Sequence, residues 1–154
     1  MIRKDIIKNL KSYFSIKELV DNEVFALYGE DAWQFFTTDI LETLLFIREG
    51  LAKPITINNG TNFTQRGLRT NQSPLVKTKT KIYLSAHILG RAFDFDVAGM
   101  GAEEVRSWIF ENKDKLPHPI RLEHINSKTK QPITWVHIDT IDNNKGQKVY
   151  FFNV

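Results

Sequence analysis

The sequence predicts an α+β fold, with helices in the N-terminal third and then a small, largely antiparallel sheet. Three observations carry this expectation. Long stretches of apolar residues at helical spacing fall before residue 50 and again over 102–112. From residue 54 onward the remaining apolar runs are short, rich in Val, Ile and Phe, and bounded by Gly, Pro and Asn. Helices precede most of the strands, the chain order of an α+β domain rather than of alternating βα units.

The elements follow in order. Ser15-Ile16-Lys17-Glu18 has the pattern of a capping box, opening a helix that runs to about Tyr28 and stops at Gly29. A second helix starts near Asp31, because Trp33, Phe36, Ile40, Leu44 and Ile47 recur at steps of three and four; Gly50 and Pro54 close it. Residues 54–58 read as a short strand. Residues 58–74, rich in Asn, Gly, Thr and Ser, form a long loop of the kind that often carries function. Tyr83–His87 and Arg91–Val97 have strand character on either side of Gly90. Gly99 and Gly101 break the chain before a helix over 102–112 with Val105, Trp108 and Ile109 inside. Residues 120–125 and 133–140 pair as an antiparallel hairpin, and 148–153 supply a last strand.

A chain of 154 residues with 42% apolar and 25% charged residues suffices for one core and reads as one domain, residues 1–50 its helical part and 51–154 its strand-rich part. The absence of cysteine excludes disulfides, thiolate metal sites and a cysteine nucleophile. A net charge of +3 suits an anionic partner, but no Lys/Arg run is interleaved with aromatics, so nucleic acid is not expected. The alternating tract Lys77-Thr78-Lys79-Thr80-Lys81 decorates one face of a strand or loop. The N-terminus has no 7–15-residue apolar core of a secretory signal, so the chain is expected to be made in the cytoplasm, and no run is long enough to insert into a membrane. A monomer is expected.

Chemistry concentrates in two stretches. Ser85-Ala86-His87-Ile88-Leu89-Gly90-Arg91-Ala92-Phe93-Asp94 offers an imidazole and a carboxylate seven positions apart, and Trp135-Val136-His137-Ile138-Asp139 adds a second imidazole. Singly, a histidine in an apolar strand is usually a hydrogen-bonded core residue, and an aspartate a cap. Together, two His and one Asp in apolar surroundings need compensation, which a divalent cation supplies, and they suffice as protein ligands of a catalytic zinc. Asp96 is a rival to Asp94, because residues 94 and 96 point the same way from a strand.

The pattern His87, Gly90, Ala92, Asp94, with Ser85 two positions ahead and Trp135 and His137 far downstream, resembles the zinc D-Ala-D-Ala carboxypeptidases. The L-Ala-D-Glu endopeptidases of phage endolysins are relatives, and the hedgehog signalling domain shares the fold. The resemblance spans roughly residues 50–140 and leaves the N-terminal third unexplained. It implies one zinc per chain held by His87, Asp94 and His137, choosing Asp94 over Asp96, and it implies a zinc metallopeptidase acting on peptidoglycan stem peptides as a carboxypeptidase or endopeptidase. A phage lysis or virion-borne enzyme, reaching the wall once released, is the expected setting. The alternative is a non-catalytic metal-binding module of the same fold that binds wall or protein partners.

The resemblance also asks for a general base, which in many members is a Glu three residues before the last His. Here that position is Thr134. The hairpin offers a substitute: with Ile125 opposite Ile133, Glu123 faces Trp135 and Arg121 faces His137, so Glu123 shares a face with His137. His124 faces away. Arg66-Gly67-Leu68-Arg69 sits where members carry a Ser-Gly-Tyr-Arg-like turn, and Arg69 matches its substrate arginine, suited to a carboxylate or an oxyanion. Ser85 has two roles open, substrate contact or a backbone bond. Trp135 belongs to the substrate side, and Asp139 either orients His137 from behind or caps a strand.

Overall fold

The computed structural model describes residues 1–154. Its first helix, α1 (Arg3–Leu10), has no counterpart in the sequence expectations. Only Ile6 and Leu10 of α1 are fully buried, one turn apart, and two apolar positions in eight residues make a weak periodic signal. Tertiary contacts hold it instead. Arg3 donates to Thr38 Oγ1 at 3.0 Å and to the carbonyls of Trp33 and Phe36, both at 2.8 Å.

The expected box at Ser15 opens only one 3-10 turn, Ile16–Glu18, in which the Glu18 carboxylate accepts the Ser15 N–H at 2.7 Å. Helix α2 (Asn22–Tyr28) has its own cap, Asp21, which accepts from the Val24 N–H at 2.9 Å; Gly29, at φ 49°, ends it. The stripe from Trp33 to Ile47 is buried throughout, yet it crosses two elements, a 3-10 segment (Gly29–Phe35) and helix α3 (Thr38–Leu51). The break falls at Thr37, whose extended backbone sends its N–H to the Gly90 carbonyl at 3.0 Å.

Five strands form one sheet in the order β1-β2-β4-β3-β5: β1 (Ile55–Thr56), β2 (Ala92–Val97), β3 (Ile120–Glu123), β4 (Val136–Asp139) and β5 (Val149–Phe152). Three of the four pairings are antiparallel, but β5 runs parallel to β3, so the sheet is mixed. Residues 140–148 carry the chain past the start of β3 to its far side. The strand expected over Tyr83–His87 does not form. That segment has no partner strand and ends in turns, with Leu89 N–H bonded to Ser85 O and Arg91 N–H to Ala86 O. Gly90 closes the turn at φ 63°, where a Cβ would lie 1.9 Å from the Phe35 carbonyl oxygen.

Helix α4 (Ala102–Glu111) packs Val105 and Ile109 on the sheet. Alternation along the strands sorts the two faces. Phe93, Phe95, Leu122, Val136 and Ile138 join the core with Ile6, Leu10, Ile40 and Leu44 of the helices. Each such fully buried side chain stabilises the fold by about 1.5–3 kcal/mol. The intervening residues, Asp94, Arg121, Glu123, His137 and Asp139, share the opposite face. No helix is long and apolar enough to cross a membrane.

Candidate metal centre

Strand register assembles the centre. Asp94 on β2 lies opposite His137 on β4, and Arg121 on β3 lies opposite Asp139. Along β3 and β4 the hairpin register differs by two residues from the expected one, in which Arg121 faced His137; nearer the turn Ile125 bridges to Pro132, not to Ile133. A two-residue shift keeps every side chain on its face, whereas a shift of one would invert them. Glu123 therefore still stands beside His137, with 3.9 Å between its Oε1 and His137 Nδ1. His87 arrives from the turn before β2.

His87, Asp94 and His137 are all buried, and their ligand atoms lie within 4.8 Å of one another, so the three can hold a metal ion. His87 Nε2 is 3.2 Å from Asp94 Oδ2, and His137 Nδ1 is 2.7 Å from Asp94 Oδ1. Each ring is held from behind. His87 Nδ1 sits 2.8 Å from the Gly67 carbonyl, which only accepts, so Nδ1 carries the hydrogen and Nε2 is the atom free to ligate. His137 Nε2 sits 3.0 Å from Asp139 Oδ2, which leaves Nδ1 on the side of Asp94. Such backing bonds fix the tautomer and orientation of ligating histidines. Two imidazoles and a carboxylate are donors suited to a divalent cation, and two ligands about 2.0–2.1 Å from a tetrahedral ion lie about 3.3 Å apart. The His87–Asp94 separation matches; the His137–Asp94 pair would open by about half an ångström.

The electrostatics follow from burial against pairing. Burial alone would raise the Asp94 carboxyl, but hydrogen bonds and charge from His137 and His87 outweigh it and hold the group well below the usual carboxylate range. Burial disfavours a charged His137, yet Asp139 and Asp94 prevail and raise it to about 10. Asp139, 1% exposed, is lowered in spite of its burial by His137 and by Arg121, whose Nε and Nη2 reach its two oxygens at 2.8 and 2.9 Å. Asp139 fills both roles open to it: Oδ2 backs His137, and Oδ1 accepts the Ile141 N–H at 3.0 Å just past the end of β4. Burial pushes Glu123 above the usual range, and the charges of Asp94 and Asp139 add to the rise against the opposing pull of His137 and His87.

The centre lies in an open cleft of 620 Å³ lined by Arg69, Ser85, His87, Asp94, Arg121, Glu123, Trp135, His137, Asp139 and Phe152, among others. Arg69 is not the exposed loop residue its neighbours suggest. Its Nε donates to Gln65 O at 2.7 Å, its Nη2 lies 3.3 Å from Asp94 Oδ2, and most of the side chain is covered. Ser85 Oγ accepts weakly from the Ile88 N–H at 3.4 Å and still borders the cleft. Asp96 is drawn away by Arg66, at 2.5 Å, and stays outside the ligand group. His124 points to Glu103 on the other side of the sheet.

Arg106, in α4, has no strong local sequence pattern that marks it as buried. It is 2% exposed, donates to the carbonyls of Ile133 at 2.7 Å and Trp135 at 2.9 Å, and pairs with Glu103 at 2.5 Å. It thereby ties down the irregular chain leading into β4. A weak signal existed: Arg106 adjoins Val105 in the buried part of a helix whose exposed side already carries its charge. Compared with protein-family models, curated proteins and solved structures, the chain matches none.

Proposed function

We propose that the chain is a zinc-dependent peptidase that hydrolyses peptidoglycan stem peptides. The observation that carries the proposal is the alignment of two backed imidazoles and a carboxylate beside a separate carboxyl of raised proton affinity, Glu123, at the base of an open cleft. A purely structural ion cluster has no need of the second carboxyl, and a structural zinc has no need of an open fourth side.

His87, Asp94 and His137 would hold the zinc, and the chemistry it would supply there is Lewis acidity. Glu123 takes the proton of the attacking water and returns it to the leaving amine, the work of a carboxylate whose affinity for a proton lies above the ordinary. Arg69 donates to the carbonyl oxygen as negative charge develops there. Its Nη1 makes no hydrogen bond within the chain, while Nε and Nη2 hold the guanidinium in place. Trp135 and Ser85 border the bound peptide. Asp139, braced by Arg121, keeps His137 in its ligating orientation.

Glu123→Gln tests the proposal and separates it from a non-catalytic metal-binding module. The variant keeps shape and removes the proton acceptor, so zinc content should be unchanged while muropeptide hydrolysis falls by about 10²–10⁴-fold. Product masses from purified muropeptides distinguish carboxypeptidase from endopeptidase cleavage. Wild-type hydrolysis by the variant would exclude Glu123 as the base. A wild-type protein that binds zinc but cleaves no wall peptide would identify the binding module.

A further inference from the structure

The charge of this chain is segregated. Residues 50–93 contain seven Lys and Arg and no Asp or Glu, although the chain as a whole has a net charge of only +3. Three of the seven are committed to carboxylates elsewhere: Arg66 to Asp96, Arg69 to Asp94 and Arg91 to Asp39. Lys77, Lys79 and Lys81 enter no ion pair, and Lys79 Nζ instead lies 5.1 Å from the centre of the Tyr83 ring.

These lysines occupy a single loop. Val76 at one end and His87 at the other are buried, and every residue from Lys77 to Leu84 between them is exposed. Ile82 is 94% exposed and Leu84 70% exposed, the former more than any other large apolar side chain of the protein. The N–H groups of Lys77 and Lys79 turn back onto the carbonyls of Ser73 and Val76, and no backbone group of residues 80–84 bonds to the rest of the chain. Tyr83 and Leu84 form part of the wall of the metal cleft.

We propose that the loop Lys77–Leu84 is a docking element for an anionic lipid surface, and that it sets the mouth of the metal cleft against that surface. The lysines supply attraction to headgroup phosphates, at close to fivefold in affinity for each cation near the surface. The aliphatic side chains supply what a soluble polyanion could not use, apolar area that is buried at the boundary between headgroups and acyl chains. Cations flanking exposed Ile and Leu fit both halves of such an interface at once, and the lysine stems can lie along apolar surface while their ammonium groups stay in the phosphate layer. The contact is peripheral and adds to the proposed peptidase reading without depending on it.

Vesicle co-sedimentation of the full chain tests this. The vesicles are pure phosphatidylcholine or phosphatidylcholine with about one-third phosphatidylglycerol, at low and at high salt. Binding should require phosphatidylglycerol and weaken with salt. The triple variant Lys77→Gln, Lys79→Gln, Lys81→Gln should bind about 100-fold more weakly. Ile82→Ser should lose roughly tenfold on vesicles while binding soluble polyphosphate as the wild type does. All four side chains are exposed, so thermal melts of the variants should coincide with wild type. Equal binding to neutral and anionic vesicles, or a triple variant that binds like wild type, would overturn the proposal. So would an Ile82→Ser variant that binds vesicles like wild type while polyphosphate competes fully, which would assign the lysines to a soluble polyanion. No readout involves hydrolysis, so a failure here and a failure of the peptidase reading are told apart.

Discussion

Arg106→Met removes one buried guanidinium and keeps a side chain of similar length. The arginine donates to the carbonyls of Ile133 and Trp135 at 2.7 and 2.9 Å, both well within hydrogen-bond geometry; its 3.5 Å approach to the Glu123 carbonyl is too long to count. Leaving two sheltered carbonyls without donors costs about 1–3 kcal/mol each. The Glu103 partner is 54% exposed and regains water when released, so loss of that ion pair adds little. Relief of the cost of burying the arginine itself offsets part of the loss. The net destabilisation should be about 2–4 kcal/mol, a fall in Tm of roughly 4–16 °C for a chain of this size. Urea denaturation gives the first figure and a thermal melt the second. Because His137 is held by the β2/β4 ladder, zinc content in the folded variant should stay at the wild-type level, while turnover falls as Trp135 loses its anchor. A destabilisation below about 0.5 kcal/mol, the size of an ordinary surface substitution, would refute this account of Arg106.

Two further outcomes bear on the centre. Wild-type protein should carry close to one zinc per chain by elemental analysis, and His87→Ala and His137→Ala should each lose most of it; full retention in both variants would remove these residues from the ligand set. Arg69→Ala should cut peptide turnover by about 10²–10³-fold, the usual loss when an oxyanion donor is removed, while its lost bonds to Gln65 and to the buried Asp94 carboxylate cost roughly 2–4 kcal/mol of stability. A variant with wild-type turnover would end the assignment of Arg69.

The parts legible in the sequence are those whose signal is local. The stripe Trp33–Ile47 announces burial because bulky residues at steps of three and four leave one helical face no other use. His87, a nearby aspartate and the distant His137 stood out because unpaired buried imidazole and carboxylate groups are costly, whereas the choice of Asp94 over Asp96 rested on the family resemblance. Glu123 was singled out because the resemblance asks for a base and strand parity puts this residue on the face of His137; that face survived a register error because the error along β3 and β4 was an even number of residues. What was hidden depends on partners remote in sequence. Helix α1 exists because Arg3 reaches Thr38 and two carbonyls beyond residue 30. Asp96 leaves the centre because Arg66, thirty residues away, claims it. Ile82 and Leu84 alternate like a strand, yet no neighbouring strand exists to pair with them, and the segment stays irregular. Arg106 looks like any helix-surface arginine until the carbonyls of the incoming β4 segment are brought to it.

The two faces of the sheet put opposite demands on the same strands. One face gains from apolar burial at Phe93, Phe95, Leu122 and Ile138, and substitutions there change stability through lost area and cavities. The other gathers three carboxylates, Asp94, Glu123 and Asp139, against two guanidiniums, Arg69 and Arg121, with two imidazoles between them. With the imidazoles neutral, negative charge is in excess, and buried charge without compensation costs far more than apolar residues of the same volume would. Both routes to compensation end at the same atoms: a proton on His137, favoured by Asp139 and Asp94, or a cation between His87, Asp94 and His137. A face that only had to fold would be cheaper to build from valine and leucine. Its polar composition, its surplus of acceptors and its opening to solvent are the physical grounds on which the proposed chemistry rests.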